Sequence, residues 1–421
     1  MQHFKFSNGL VLLVHQDTKL KNSVLTVLYK VGSAQEQSNQ TGLAHFLEHM
    51  MFEGSQNFPD FDRSLQGMMA ENNAFTGQDY TCYYESFPHK HLHSILNIER
   101  DRMCHLSIKK SAVQVQTNVI VEEFKETSLN PPMADAWDHL LKLCFKNSYQ
   151  WQVIGKNLKH LATIDKKALV DFYKNNYTSQ NAILSIVSAA DEKHIAAEVS
   201  RVFKSKIFPD TKLSLAQKSI ISGKRKGIKR LKRKNIAVPN FFMAFHIEDY
   251  ATKGYLLSDM VSDLLTNGES SLLYKALVLD AKLCTEIQSY TTDNIHCNLL
   301  VIEGKLTLTS HFEDVYDKIK EVFETVKSKK LSSVRFETLH NKALSYWSFY
   351  HYNPAQLAQN MAIFYHAAQV IHLPQFIDDM YHTITKKDLE IHLCQLLDFD
   401  QASILEYALP SDEKLDFKEA I

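Results

Sequence analysis

The chain contains no Cys-x-x-Cys pair: its six cysteines, Cys82, Cys104, Cys144, Cys284, Cys297 and Cys394, are scattered over 421 residues. Such spacing offers neither a paired-cysteine zinc site nor a disulfide framework, so buried free thiols are expected. Net charge is also missing, because 47 Lys and Arg against 48 Asp and Glu leave a formal charge of -1. Nothing in that balance draws the chain as a whole to nucleic acid or an anionic membrane. No apolar run is long enough to span a bilayer, and Met1 to Gly9 lack the charged and then apolar order of a secretory signal. With Met1 taken as the native start, a cytoplasmic protein with no membrane partner is expected. What is present is core-forming material: 45% of the residues are hydrophobic, and the length fits two domains of roughly 200 residues each.

The strongest chemical signal is Thr41-Gly42-Leu43-Ala44-His45-Phe46-Leu47-Glu48-His49-Met50-Met51-Phe52. Residues three and four apart are neighbours on a helix, so His45, Glu48 and His49 share one face while Leu43, Leu47 and a methionine supply an apolar stripe. Neutral imidazole is a zinc ligand, and catalytic zinc usually keeps three protein ligands and one open position. The order His-x-x-Glu-His inverts the common zinc-protease signature. The competing reading is a surface helix with solvated histidines, and a third ligand elsewhere separates the two.

Leu10 to His15 and Val24 to Val31 read as two antiparallel strands, rich in β-branched residues and bounded by turn signals. Asp60 is placed to cap a short helix, and Asn72 to Phe87 reads as strand, turn, strand. Helical patterns follow from about His89 to His105 and from Lys110 to Leu129, before Asn130-Pro131-Pro132. In the second, Glu123 lies over Val119 and Ile120 beside Phe124, on the face the helix would bury, whereas Glu122 faces Lys125 and Glu126. A carboxylate on an apolar stripe is costly unless paired or ligating. Glu123 is therefore the third ligand, with Glu126 open as an outer partner or alternate.

An internal echo recurs after 220 residues: Thr163-Ile164-Asp165-Lys166-Lys167-Ala168-Leu169 returns as Thr383-Ile384-Thr385-Lys386-Lys387-Asp388-Leu389. Asp165 and Thr385 are suitable helix caps, and the echo indicates a tandem of two similar α/β units. Only the first carries His-x-x-Glu-His. The domains are set at 1–215 and 216–421, with the join near Phe208 to Gly223. The second half reads as a strand from Phe241 to Ile247, helices, paired strands at Thr285 to Thr291 and Asn298 to Leu308, and further helices to Ala368. The aromatic cluster Trp347 to Tyr352 reads as core. The basic run Lys224 to Lys234 has no nucleic-acid reading module beside it, so linker and edge strand are expected there and a nucleic-acid binder is the remote alternative.

With these residues in place, the chain resembles the inverted zinc peptidases, the family of pitrilysin, insulysin and the mitochondrial processing peptidase. Val31-Gly32-Ser33, Thr41 to His45, Met51-Phe52-Glu53-Gly54-Ser55, Asn73-Ala74-Phe75-Thr76 and Val121-Glu122-Glu123-Phe124 are similar to family landmarks in the family's order. The second half resembles it more weakly, through Gly268-Glu269-Ser270-Ser271 and the repeat.

The resemblance implies an α+β protein of two homologous α/β sandwich domains, often paired as a homodimer or with a related subunit. It implies a zinc endopeptidase acting on unfolded peptides or short polypeptides. His45, His49 and Glu123 correspond to the Zn2+ ligands and Glu48 to the base that activates water. Asn73, Ala74 and Phe75 correspond to the strand that pairs with substrate backbone, a binding mode with little sequence preference. Three departures stand out. An Arg and Tyr of the family's second domain fall at Val278 and Thr285, an arginine after the paired serines falls at Leu272, and an acidic residue seven before the third ligand falls at Gln116. The alternative reading is therefore a zinc-binding subunit that needs a partner chain to complete the site.

Overall fold

The computed structural model describes residues 1–37, 39–146, 153–204 and 224–410. The expected join between domains, Phe208 to Gly223, lies outside these residues. Contacts divide the chain into two compact units. One comprises the described residues within Met1–Glu126, Trp151–Ile220 and Leu344–Asp379; the other those within Thr127–Gln150, Ile221–Ala343 and Met380–Ile421.

The first unit is built on β1 (Gln2–Lys5), β2 (Val11–Gln16), β3 (Asn22–Tyr29), β4 (Glu71–Thr76), β5 (Thr81–Pro88) and β6 (Ala182–Ser188), in sheet order β1-β2-β6-β3-β5-β4. The two strands expected from Leu10 to Val31 form and run antiparallel, but they are not neighbours. β6 lies between them, parallel to β2 and antiparallel to β3. All seven residues of β6 are buried, which suits a central strand covered on both faces. β4 pairs only with β5 and forms one edge of the sheet.

The second unit repeats this plan. Its strands are β7 (Ile228–Lys232), β8 (Asn240–His246), β9 (Cys284–Thr291), β10 (Leu299–Leu306) and β11 (Ser403–Ala408), in order β7-β11-β8-β10-β9. The late strand β11 inserts between β7 and β8, parallel to the one and antiparallel to the other, as β6 does between β2 and β3; β9 takes the edge place that β4 holds in the first unit, and β1 has no counterpart in the second sheet. Asp165 and Thr385 cap the helices Lys166–Asn176 and Lys386–Leu396 by accepting from Ala168 and Asp388 backbone N–H. The fold is α+β, two homologous α/β units in tandem.

One feature was not legible in the sequence. The sheet of the second unit is backed by the helix Ala136–Cys144, whose Leu140 and Cys144 pack with Phe242, Ala244 and Tyr407. The sheet of the first unit is packed by the helix Pro354–Ala368 against β3 and β6. Shifted by the 220 residues of the repeat, Ala136–Cys144 falls within Pro354–Ala368, so the two repeats exchange equivalent helices.

Part of the basic run forms edge strand β7, and several of its side chains are engaged. Arg230 pairs with Glu406 and Glu313, Arg233 with Asp135, and Lys226 Nζ donates to the Asp400 carbonyl. The aromatic cluster divides: Trp347 is buried, while Tyr346, Phe349 and Tyr352 stand in solvent because they fall on the opposite face of the helix Ser333–Tyr352. No helix among the described residues is long and apolar enough to cross a membrane.

Candidate metal centre

The motif helix spans Leu43–Met51. Nine residues are too few for a helix to persist alone in water, so packing must hold it. Phe46, Leu47, Met50 and Met51 are fully buried, each contributing about 1.5–3 kcal/mol of transfer free energy. Its start is fixed from outside the helix. Gly42 sits at φ +94°, where a Cβ would meet the Ile154 carbonyl oxygen at 2.7 Å, so only glycine enters the helix this way. The buried Glu36 carboxylate accepts from the backbone N–H groups of Gly42 and Ala44, both at 2.7 Å, satisfying donors that the helix leaves open. Burial pushes Glu36 up to about 8 against the pull of those donors.

From this helix the rings of His45 and His49 project side by side, centroids 4.7 Å apart. Glu123 comes from the helix Lys110–Ser128, with Oε1 at 3.5 Å from His45 Nε2 and Oε2 at 3.5 Å from His49 Nε2. Those separations are longer than an N–H to O hydrogen bond. They suit a shared cation: zinc bonds of about 2.0–2.2 Å at tetrahedral angles set neighbouring ligand atoms about 3.3–3.6 Å apart. The ligand atoms of the three residues all lie within 4.8 Å of one another, the one such cluster among the described residues. Two imidazoles and a carboxylate are also the donor types zinc takes, so the residues fit the ion.

The electrostatics follow the same contacts. The adjacent His45 and His49 rings hold the Glu123 carboxyl well below the usual carboxylate range. Burial pulls His49 down, but Glu123 and Gln116 outweigh it and raise the ring above its ordinary value. Glu48 stands outside the three-residue cluster. Its Oε2 accepts a short hydrogen bond from the Thr76 hydroxyl at the end of β4, which fixes the carboxylate by one oxygen.

Glu126 is exposed and Glu122 pairs with Lys125; neither joins the cluster. Ile120 and Phe124 are buried as expected, but Val119 is 46% exposed, so Glu123 stands at the border of the buried stripe with its carboxylate turned to His45 and His49. Asn73, Ala74 and Phe75 lie on edge strand β4, Asn73 exposed and the other two half-buried. Ala74 N–H donates to Asn73 Oδ1 at 2.8 Å, outside the ladder with β5. Val278 is half-buried, and Thr285 is exposed on β9 with its hydroxyl donating to the Lys305 carbonyl.

Sequence reasoning passed over Thr76 and Glu36 as functional parts. Thr76 closes the landmark Asn73-Ala74-Phe75-Thr76, so a signal for it was present; Glu36, seven residues before the helix begins, carried none.

A tandem α+β frame bearing an inverted pair of histidines and a remote glutamate defines a class of metallopeptidase, and comparison with known proteins agrees. The family described as Insulinase (Peptidase family M16) matches residues 11–156, and Peptidase M16 inactive domain matches residues 163–342. The chain belongs to peptidase family M16. It is similar to an uncharacterized zinc protease of Rickettsia bellii, 25% identical over 378 residues covering 86% of this chain and 87% of the relative. It is also similar to the mitochondrial-processing peptidase subunit beta of Saccharomyces cerevisiae, 26% identical over 208 residues, 47% of this chain and 43% of that one. The fold matches the crystal structure of a protease from Helicobacter pylori with a TM-score of 0.87 at 19% identity, covering 96% of this chain and 98% of that one.

Proposed function

We propose that this chain is a zinc-dependent endopeptidase that hydrolyses unfolded peptides or short polypeptides, with His45, His49 and Glu123 holding the metal and Glu48 as general base. The observation that carries it is the convergence of three zinc-type donors at 3.5 Å spacings beside a carboxylate that is not among them. Zinc in this place supplies Lewis-acid polarisation of a peptide carbonyl and brings the pKa of water toward about 7. Glu48 then holds a proton taken from water and passes it to the leaving amine, a role that requires a carboxylate beside the metal ligands and separate from them. Thr76 keeps one Glu48 oxygen engaged, so the other faces the proton. The open edge of β4 at Asn73, Ala74 and Phe75 takes the substrate as an added strand, through main-chain hydrogen bonds that any sequence can make.

A second reading has its own observation. Val278 and Thr285 present no guanidinium or phenol where the resemblance expects them, which supports a need for a partner chain, a copy of this one or a related subunit, to complete substrate contacts. One experiment tests both: hydrolysis of an unstructured fluorogenic peptide by the full chain, alone and with related chains added. Activity abolished by a chelator and restored by zinc is expected. Activity indifferent to chelation overturns the zinc mechanism, and zinc uptake with turnover only after a second chain is added favours the second reading.

A further inference from the structure

The two histidines present their outer ring nitrogens to different surroundings. His45 Nδ1 is buried with no hydrogen-bond partner among the described residues. His49 Nδ1 lies 3.0 Å from Gln116 Oε1, and Gln116 Nε2 donates to Glu53 Oε1 at 2.7 Å. Glu53 follows His49 by four residues, just past the end of the motif helix; Gln116 precedes Glu123 by seven, two turns back on the same face of its helix. All three links are half-buried.

The order of donors and acceptors along this chain is forced. An ionised carboxylate only accepts, so Glu53 draws the amide's NH2 toward itself. The amide is planar, so its carbonyl oxygen must then face His49. A carbonyl oxygen also only accepts, so the proton of a neutral His49 ring is held on Nδ1. Nε2 is left with its lone pair pointing at Glu123 and at the position a metal would take. Turning the amide over would set a carbonyl oxygen against the Glu53 carboxylate and an NH2 against His49 Nδ1, which moves the ring proton to Nε2 and disables the ligand.

We propose that Glu53, acting through Gln116, sets the tautomer and orientation of His49. Both are positioning residues: neither touches substrate or metal, and each acts through the next. The resemblance puts an acidic residue at position 116; here the amide stands there and the carboxylate is set one hydrogen bond further out, at Glu53. The inference rests on the zinc reading of His45, His49 and Glu123 only for its consequence, because the tautomer itself is a property of the metal-free chain.

Two measurements on the full chain test it. Competition with a chromophoric chelator gives the affinity for zinc alone. Gln116→Ala and Glu53→Ala are expected to weaken it, by about 10- to 100-fold for the first, the usual cost of losing a ligand's outer partner, and by less for the second. Glu53→Gln, whose amide carbonyl can still accept, is expected to restore most of the loss. In a Gln116→Glu background, where a carboxylate meets His49 directly, Glu53→Ala is expected to cost nothing, because the relay has been bypassed. Nitrogen-15 NMR of the imidazoles in the metal-free chain at about pH 8 is expected to show His49 as the Nδ1–H tautomer, moving toward Nε2–H in Glu53→Ala. Equal losses from Glu53→Ala in both backgrounds, or an unchanged tautomer, would overturn the relay while leaving the zinc site intact. Failure of the wild-type chain to take up zinc would overturn the metal reading, and the tautomer would still decide the relay.

Discussion

Two places in this molecule set the last residue of an edge strand against a helix, and only one of them can hold a metal. In the first unit Thr76, ending β4, donates to Glu48 on the helix Leu43–Met51. In the second unit Thr291, ending β9, donates to Asp259 on the helix Lys253–Thr266 at 3.4 Å. The strand order around them is the same. The surroundings differ in chemistry. Beside Glu48 stand His45, His49 and, from a separate helix, Glu123. Beside Asp259, the helix bears no histidine and turns Ser262 and Thr266 to share hydrogen bonds with Ser289 of β9 at 2.9 and 2.7 Å. Hydroxyls that satisfy one another close the interface, while imidazoles converging on a carboxylate leave a place for a cation. The repeated fold supplies the hydroxyl-to-carboxylate contact twice; ligands added to one copy make the site.

The largest expected effect comes from breaking the first place. Glu48→Gln keeps the hydrogen bond from Thr76 but cannot take a proton, so peptide hydrolysis should fall by about 100- to 10,000-fold with zinc content unchanged. The same change at its counterpart, Asp259→Asn, should leave both activity and zinc alone and act on stability instead. Burial and the neighbouring Asp263 push the Asp259 carboxyl up to about 6 from its ordinary 3.8. The folded chain then binds this proton more tightly than the unfolded chain between about pH 4 and pH 6, so stability falls as pH rises through that window. Asp259→Asn should flatten that slope and stabilise the protein above pH 6 by on the order of 1–3 kcal/mol, read from urea midpoints.

Smaller effects sharpen the contrast. Glu36→Ala strips the two acceptor oxygens from the start of the motif helix and should cost about 1–2 kcal/mol in chemical denaturation, with zinc affinity reduced as the helix frays. Thr76→Val removes the hydroxyl that steadies Glu48 and should lower hydrolysis about tenfold with zinc retained, whereas Thr291→Val should change hydrolysis by less than about twofold. Equal effects from the two threonines would dissolve the distinction between the units.

Much of this was legible in the sequence where the cause is local. His45, Glu48 and His49 share a face because of helical spacing, Asp165 and Thr385 announce their helices as caps, and the strands near Val11, Val24 and Phe241 follow from β-branched or apolar runs between turn signals. What was hidden depends on residues far apart in the chain. No pattern within Val11 to Tyr29 tells that β6, more than 150 residues later, will part β2 from β3. The exchange of Ala136–Cys144 for Pro354–Ala368 is likewise invisible, because the apolar face of the first helix and the nearly all-round burial of the second do not name the sheet each one covers. Glu123 was legible by its neighbours Ile120 and Phe124, although Val119 faces outward. Gln116 stood out only as a departure from the family pattern; its contact with His49 needed two helices to be placed.

One unit and not the other is expected to hold a metal, and zinc stoichiometry measures this directly. The account predicts one tightly bound zinc for each chain, lost in His49→Ala and in Glu123→Ala and retained in Asp259→Ala. Two zinc ions per chain, or one that survives replacement of His45 and His49 together, would contradict it.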